Sequence, residues 1–215
     1  VIRRLLPLAA LAGATASAAL MTACGDTGAG PREDSARAAV QTSTEPLPPQ
    51  APSIGIGRRY RPPSLSRAVA RGARVNGMRC TAADLPRFGA HLELFHARKV
   101  VIVAPGIGVA PPRNRSGAYV DGGRCSYPLR TREPTGVIEV AHDRRATLGD
   151  LFALWGQPLS RTRMAGFRGR VSAYVAGRRW RKDPRAIPLT RHAQVVLEVG
   201  GYIEPHRTYR FPAGL

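Results

Sequence analysis

Lysine is almost absent from this chain: of its 33 cationic residues only Lys99 and Lys182 are not arginine. Acidic residues are scarce too, 14 against those 33, which leaves a formal charge of +19. A surplus of that size attracts polyanions such as nucleic acid, anionic lipid or acidic wall polymers. The arginines are spread along the chain, however, and no RNA- or DNA-binding motif accompanies them, so no specific nucleic-acid recognition is expected. Arginine with abundant Ala, Gly and Pro is also what a GC-rich genome yields, which gives the charge a purely compositional reading. Cysteine is limited to Cys24, Cys80 and Cys125. Without CxxC or HxxxH spacing there is no sign of a structural zinc site, and no metal or cofactor is expected.

A catalytic set is missing as well. His142 and Asp143 are adjacent and could form an acid-base pair, but no nucleophile in a recognisable setting joins them, so the chain is not expected to be an enzyme. Gly106-Ile107-Gly108 is too short for a phosphate loop, and Gly200-Gly201 is followed by fourteen residues, unlike a conjugating terminus. No internal repeat occurs.

What is present begins with the leader. Arg3 and Arg4 form a positive segment, Leu5 to Leu20 an apolar one, and Met21-Thr22-Ala23-Cys24-Gly25 a small-residue cleavage site. The run resembles a bacterial lipoprotein signal, with Met21 where leucine is more usual. That resemblance implies a signal peptide over residues 1–23, diacylation of Cys24 and an extracytoplasmic protein anchored to the cell membrane. With Cys24 consumed by lipid, Cys80 and Cys125 can pair as a disulfide or stand as two separate buried thiols. Residues 24–74 read as a disordered Pro/Ala/Arg-rich tether, since Gly25 to Ser66 has almost no large apolar side chain to offset the entropy of ordering.

The globular domain is expected over residues 75–200, with a tail over 201–215. Its centre is Thr135 to Leu159. Val137, Ile138 and Val140 make a buried strand. Thr147 stands as an N-cap with Asp150 three residues on, and Leu148, Leu151, Phe152 and Trp155 recur on one helical face before Gly156 and Pro158. Before it, Leu92 to Phe95 and Val100 to Val103 form a hairpin around His96-Ala97-Arg98-Lys99. Pro111 to Gly123 reads as a Gly/Pro/Arg-rich loop, and Pro128 demands a sheet edge. After it, Val171, Ala173 and Val175 alternate in a half-buried strand that turns at Ala176-Gly177, and Val195 to Val199 is the last strand. This order predicts an α+β domain, a small mixed β-sheet with one packed helix, β-grasp-like in plan.

The phrases HLELF, APGIGV, CSYPLRTREPTGVIEV, TLGDLFALWGQPL and DPRAIPLTRHAQVVLEVG resemble an uncharacterised domain of secreted proteins and lipoproteins from actinobacteria and their relatives. The resemblance spans roughly Val75 to Gly200 and implies an extracytoplasmic location, one fold and no assigned activity. That family carries several histidines before the first strand and a His-Thr-His-Asp phrase before the central one, a set suited to copper or zinc. Here the first group keeps only His91, beside Arg87 and Gly89, and the second phrase is Arg130-Thr131-Arg132-Glu133. Guanidinium cannot ligate a metal, but it can clamp a carboxylate or phosphate. The candidate ligand site is therefore His91, Arg130, Arg132 and Glu133. The expected function is a lipid-anchored module that binds a small anion, an anionic envelope polymer or an envelope partner; the alternative is a metal-binding protein with a degenerate histidine site. The residues carry no reading of oligomeric state.

Overall fold

The computed structural model describes residues 52–215, so the leader, Cys24 and the tether up to residue 51 lie outside the described residues. The elements are helix α1 (Arg67–Arg71), strands β1 (Arg87–His96), β2 (Lys99–Val101), β3 (Val109–Ser116), β4 (Tyr119–Ser126), β5 (Leu129–Arg130) and β6 (Val137–Ala141), and helix α2 (Leu148–Trp155). There follow β7 (Leu159–Ser160), β8 (Arg163–Met164), β9 (Phe167–Arg168), β10 (Val171–Val175), β11 (Arg178–Trp180) and β12 (Gln194–Val199). Seven strands form one mixed sheet in the order β11-β10-β12-β1-β6-β5, with β2 along the second half of β1. β1 is parallel to β12, His91 opposite Gln194, and antiparallel to β6, Gly89 opposite Glu139. The chain is thus a sheet-dominated α+β protein, with the hairpin, the central strand, the capped helix and the last strand at their expected positions.

Helix α2 forms for the reasons its sequence offers. The Thr147 hydroxyl accepts from the Asp150 N–H at 3.3 Å while the Asp150 carboxylate accepts from the Thr147 N–H at 3.0 Å, closing a capping box. Gly156 then adopts the left-handed conformation, φ 75°, and stops it. Leu148, Leu151, Phe152 and Trp155 are all buried on the sheet, each contributing about 2 kcal/mol.

Alternation along the strands divides the sheet into two unlike faces. Ala90, Leu92 and Leu94 of β1, Ile138 and Val140 of β6, and Val195 and Leu197 of β12 join the helix in the main apolar core. The opposite face carries Arg87, His91 and Glu93 of β1, Arg130 of β5, Glu139 of β6, and Gln194 and Glu198 of β12. All of these but Glu93 and Arg130 are buried.

Three expectations are corrected. Pro111 to Gly123 is not a loop but most of a two-stranded hairpin, β3 against β4, which turns at Gly117 with φ 61°. Its exposed Asn114-to-Ser116 arm presents no apolar period, so only backbone bonding marks it as a strand. The ordered chain also starts before Val75: Ile54 bridges to Val100, the Tyr60 hydroxyl meets His96 Nδ1 at 3.0 Å, and Val69 of α1 is 1% exposed. These anchors are single residues too widely spaced to show periodicity. Finally, residues 201–215 are not a tail apart from the domain but run over its polar face. Tyr209 stacks on His91 with ring centroids 3.6 Å apart, and Phe211 stacks on His192. Gly89 leaves the space that Phe211 fills, since a side chain there would collide with its ring. Cys80 and Cys125 are bonded across a sequence separation of 45, a closure that contributes about 4 kcal/mol.

Candidate functional site

Arg130 and Glu139 are register partners on β5 and β6, so their side chains leave the sheet together, and Arg130 Nε lies 2.7 Å from Glu139 Oε2. Arg132, just past the end of β5, approaches the other carboxylate oxygen at 3.8 Å. Its guanidinium donates to the carbonyls of Val120 and Asp121 at 3.2 and 2.9 Å and lies over the Tyr119 ring, 4.6 Å from its centroid. The β3–β4 hairpin therefore holds Arg132 in place.

Arg87, at the start of β1, completes the cluster. It donates to the carbonyls of Pro128 and Tyr127 at 2.8 and 3.2 Å and to the Ser126 hydroxyl at 3.4 Å, and its Nε is buried without a partner among the described residues. Burial, and next the Arg130 charge, lower the Arg87 pKa to about 10. Burial likewise raises the Tyr119 phenol above its ordinary value, with Arg132 opposing. Arg87, Arg130, Arg132, Glu133 and Glu139 line one hollow of about 430 Å³, closed on one side by Pro212 to Leu215. Asp84 stands at its rim, 3.7 Å from Arg130 and largely in solvent.

In this hollow Arg130 and Arg132 pair with the buried carboxylate of Glu139, and Arg87 feels the same charge without an ion pair to it. Glu133 lines it and forms no ion pair among the described residues. Over the whole lining the three guanidiniums are balanced by Asp84, Glu133 and Glu139, but Asp84 stands in solvent, so inside the hollow three guanidiniums face two carboxylates. An incoming carboxylate or phosphate would meet them partly desolvated, where charge-assisted hydrogen bonds are strong.

His91 does not belong to this cluster. It lines a neighbouring, more apolar hollow of about 440 Å³ with Glu93, Thr135, His206 and Tyr209. Its Nε2 is 2.8 Å from the Thr135 carbonyl and its Nδ1 2.8 Å from Gln194 Oε1. A carbonyl only accepts, so Nε2 carries the proton. At Nδ1 two arrangements are consistent. A neutral ring accepts from the Gln194 amide once that group is turned over, which also partners the otherwise orphaned Gln194 Nε2. A protonated ring donates to Oε1, with Glu93 4.0 Å away. Neither leaves a lone pair for a metal, and among the described residues no three His, Cys, Asp or Glu side chains gather as ligands.

The remaining histidines are tied to neighbours. His96 meets Tyr60 and stacks on Phe167, and burial, then Arg59, lowers its pKa. His142 faces Arg191 at 2.9 Å, and His206 faces Glu93 at 2.9 Å.

Of the residues the sequence singles out as a candidate site, Arg130, Arg132 and Glu133 line one concavity and His91 lines its neighbour, while Glu139 and Arg87, which complete the first, are not among them. The missed signal is a lone glutamate inside a buried apolar strand, VIEVA, a position that needs a cationic partner. No family model matches the chain, and neither does any curated protein or solved structure.

Proposed function

We propose that this chain is a lipid-anchored extracytoplasmic binding module whose Arg87–Arg130–Arg132 hollow takes a small carboxylate- or phosphate-bearing ligand, or the acidic group of an envelope partner. The observation that carries the reading is the clustering of three guanidiniums in one hollow, where Arg130 and Arg132 pair with Glu139 while the buried Arg87 has no ion pair and an unpartnered Nε among the described residues. The Cys80–Cys125 bond favours an oxidising compartment, in keeping with the leader and the Cys24 lipid site. A β-grasp-like plan is supported by the order of elements: β1 pairs antiparallel with β6, α2 follows, β10 and β11 pair, and β12 returns parallel to β1 in mid-sheet. On this reading the chain is a divergent relative of the secreted actinobacterial domain, with an arginine site where that domain has histidines.

The test is calorimetric titration of the full chain with succinate and with inorganic phosphate. Saturable binding of at least one is expected, weakening as sodium chloride rises from 20 to 200 mM, roughly as screening dictates. Arg132→Gln, whose side chain is 27% exposed and so tolerates replacement, should weaken it about tenfold. Failure of both probes to bind, or binding indifferent to Arg132→Gln, overturns the reading.

A further inference from the structure

A second cationic hollow, of about 220 Å³, lies at the other end of the sheet beside the edge strand β11. Arg161, Arg170, Arg179, Arg181 and Lys182 line it around the Trp180 indole. All five cations are exposed and among the described residues none forms an ion pair with a carboxylate, although the Arg179 guanidinium donates to the Tyr174 hydroxyl at 3.5 Å and lies 5.8 Å from that ring's centroid. Asp183 is the carboxylate next in the chain, but Arg185 occupies it through bonds of 2.8 to 3.2 Å, and this pairing holds the Asp183 carboxyl below its ordinary value. Glu198 lies on the strand beyond β10, where it is 2% exposed and accepts from the Ile203 N–H at 3.0 Å. The indole is fixed by its own N–H, which donates to the Asp183 carbonyl at 3.0 Å.

Charge on an edge strand commonly guards against pairing with another chain. That accounts for Arg178 and Arg179 on β11. It does not account for Arg161, from the turn between β7 and β8, or Arg170, from the approach to β10, which converge on the same hollow from other elements. Like charges brought together without a counter-charge repel one another, and the arrangement is relieved by an anion that carries more than one acceptor. Guanidinium forks match the tetrahedral oxygens of phosphate, which can engage several of them at once, whereas one carboxylate occupies a single fork.

We propose that Arg161, Arg170, Arg179, Arg181 and Lys182 form a phosphate-binding cleft, separate from the Arg87–Arg130–Arg132 hollow, that takes a phosphate group either free or carried by a phospholipid headgroup. Trp180 reports on it directly, because the other tryptophan, Trp155, is fully buried in the core.

The full chain is titrated with inorganic phosphate, with dihexanoyl-phosphatidylglycerol below its micelle concentration and with succinate, and tryptophan emission is followed. A saturable change is expected with phosphate, the lipid or both, with succinate at least tenfold weaker. Response to the lipid alone identifies the headgroup as the source; response to both shows that free phosphate suffices. Arg170→Gln and Arg179→Gln should each weaken binding about fivefold with unchanged melting temperature. No response to either phosphate probe, equal response to succinate, or a response that survives both substitutions overturns the proposal.

Discussion

The two faces of the central sheet are built from the same strands by opposite rules. On the helix side, Leu92, Leu94, Ile138, Val140 and Leu197 pack with Leu151, Phe152 and Trp155, and every contact is apolar. On the other side the same three strands, β1, β6 and β12, each contribute a glutamate, Glu93, Glu139 and Glu198, and each glutamate has its own partner: His206, Arg130 and the Ile203 N–H. The first face stabilises by area removed from water. The second buries only a small apolar cluster, Phe95, Tyr174 and Val196, and otherwise depends on buried polar groups finding partners. Apolar burial is therefore concentrated on the helix side and ionisable groups on the other, so a substitution should report which face it touches by the size and the salt dependence of its effect.

The largest effect belongs to the apolar face. Trp155→Ala should destabilise the domain by about 4 kcal/mol, seen as a lower denaturant midpoint, with a loss relative to wild type that is the same in chloride and in phosphate. Trp155 Nε1 is buried with no partner among the described residues, so Trp155→Phe should lose much less, because it removes an orphaned donor along with part of the ring. A large loss in Trp155→Phe would break the comparison by showing a polar requirement inside the apolar face.

On the polar face, Glu139→Gln should be next in size. The change leaves Arg130, Arg132 and Arg87 without their common buried counter-charge, a loss of about 3 kcal/mol. Unlike the Trp155 variant, this one should recover stability when chloride is exchanged for phosphate at equal ionic strength, because an anion entering the hollow replaces the lost carboxylate. Thermal melts of both variants in the two salts separate the faces.

How far the sequence is legible follows from the same division. Strand β6, helix α2 with its Thr147–Asp150 box, and the β10–β11 turn announce themselves because apolar period and capping are local properties of the chain. The polar face is legible only in part. Arg130 and Arg132 stand out as a motif, but their partner Glu139 is fixed by register across two strands, which no local pattern encodes. His91 looks like a ligand by residue type, and only the tertiary positions of Thr135 and Gln194 use up its nitrogens. The segments 52–74 and 201–215 read as tether and tail, outside the domain, because each docks through isolated side chains, Tyr60 and Val69 in one, Tyr209 and Phe211 in the other, onto a surface built by the rest of the chain.

The smallest effect tests the polar face where it is least compensated. Burial pushes the Glu198 carboxyl above its ordinary value of 4.5, while the Ile203 N–H and the more distant Arg179 charge pull it partly back. The folded chain thus holds this proton to higher pH than the unfolded chain does. Its contribution to stability is complete below the unfolded carboxyl value and is lost as pH rises through the raised folded value. Glu198→Gln keeps an acceptor for the Ile203 N–H and removes the charge, so it should stabilise at pH 7 by less than about 1 kcal/mol. The gain should fade on titration down toward pH 4, where the wild-type carboxyl is protonated in both states. A variant less stable than wild type at pH 7 would instead mean that the Arg179 charge governs Glu198, and would tie this end of the polar face to the cationic cleft at β11.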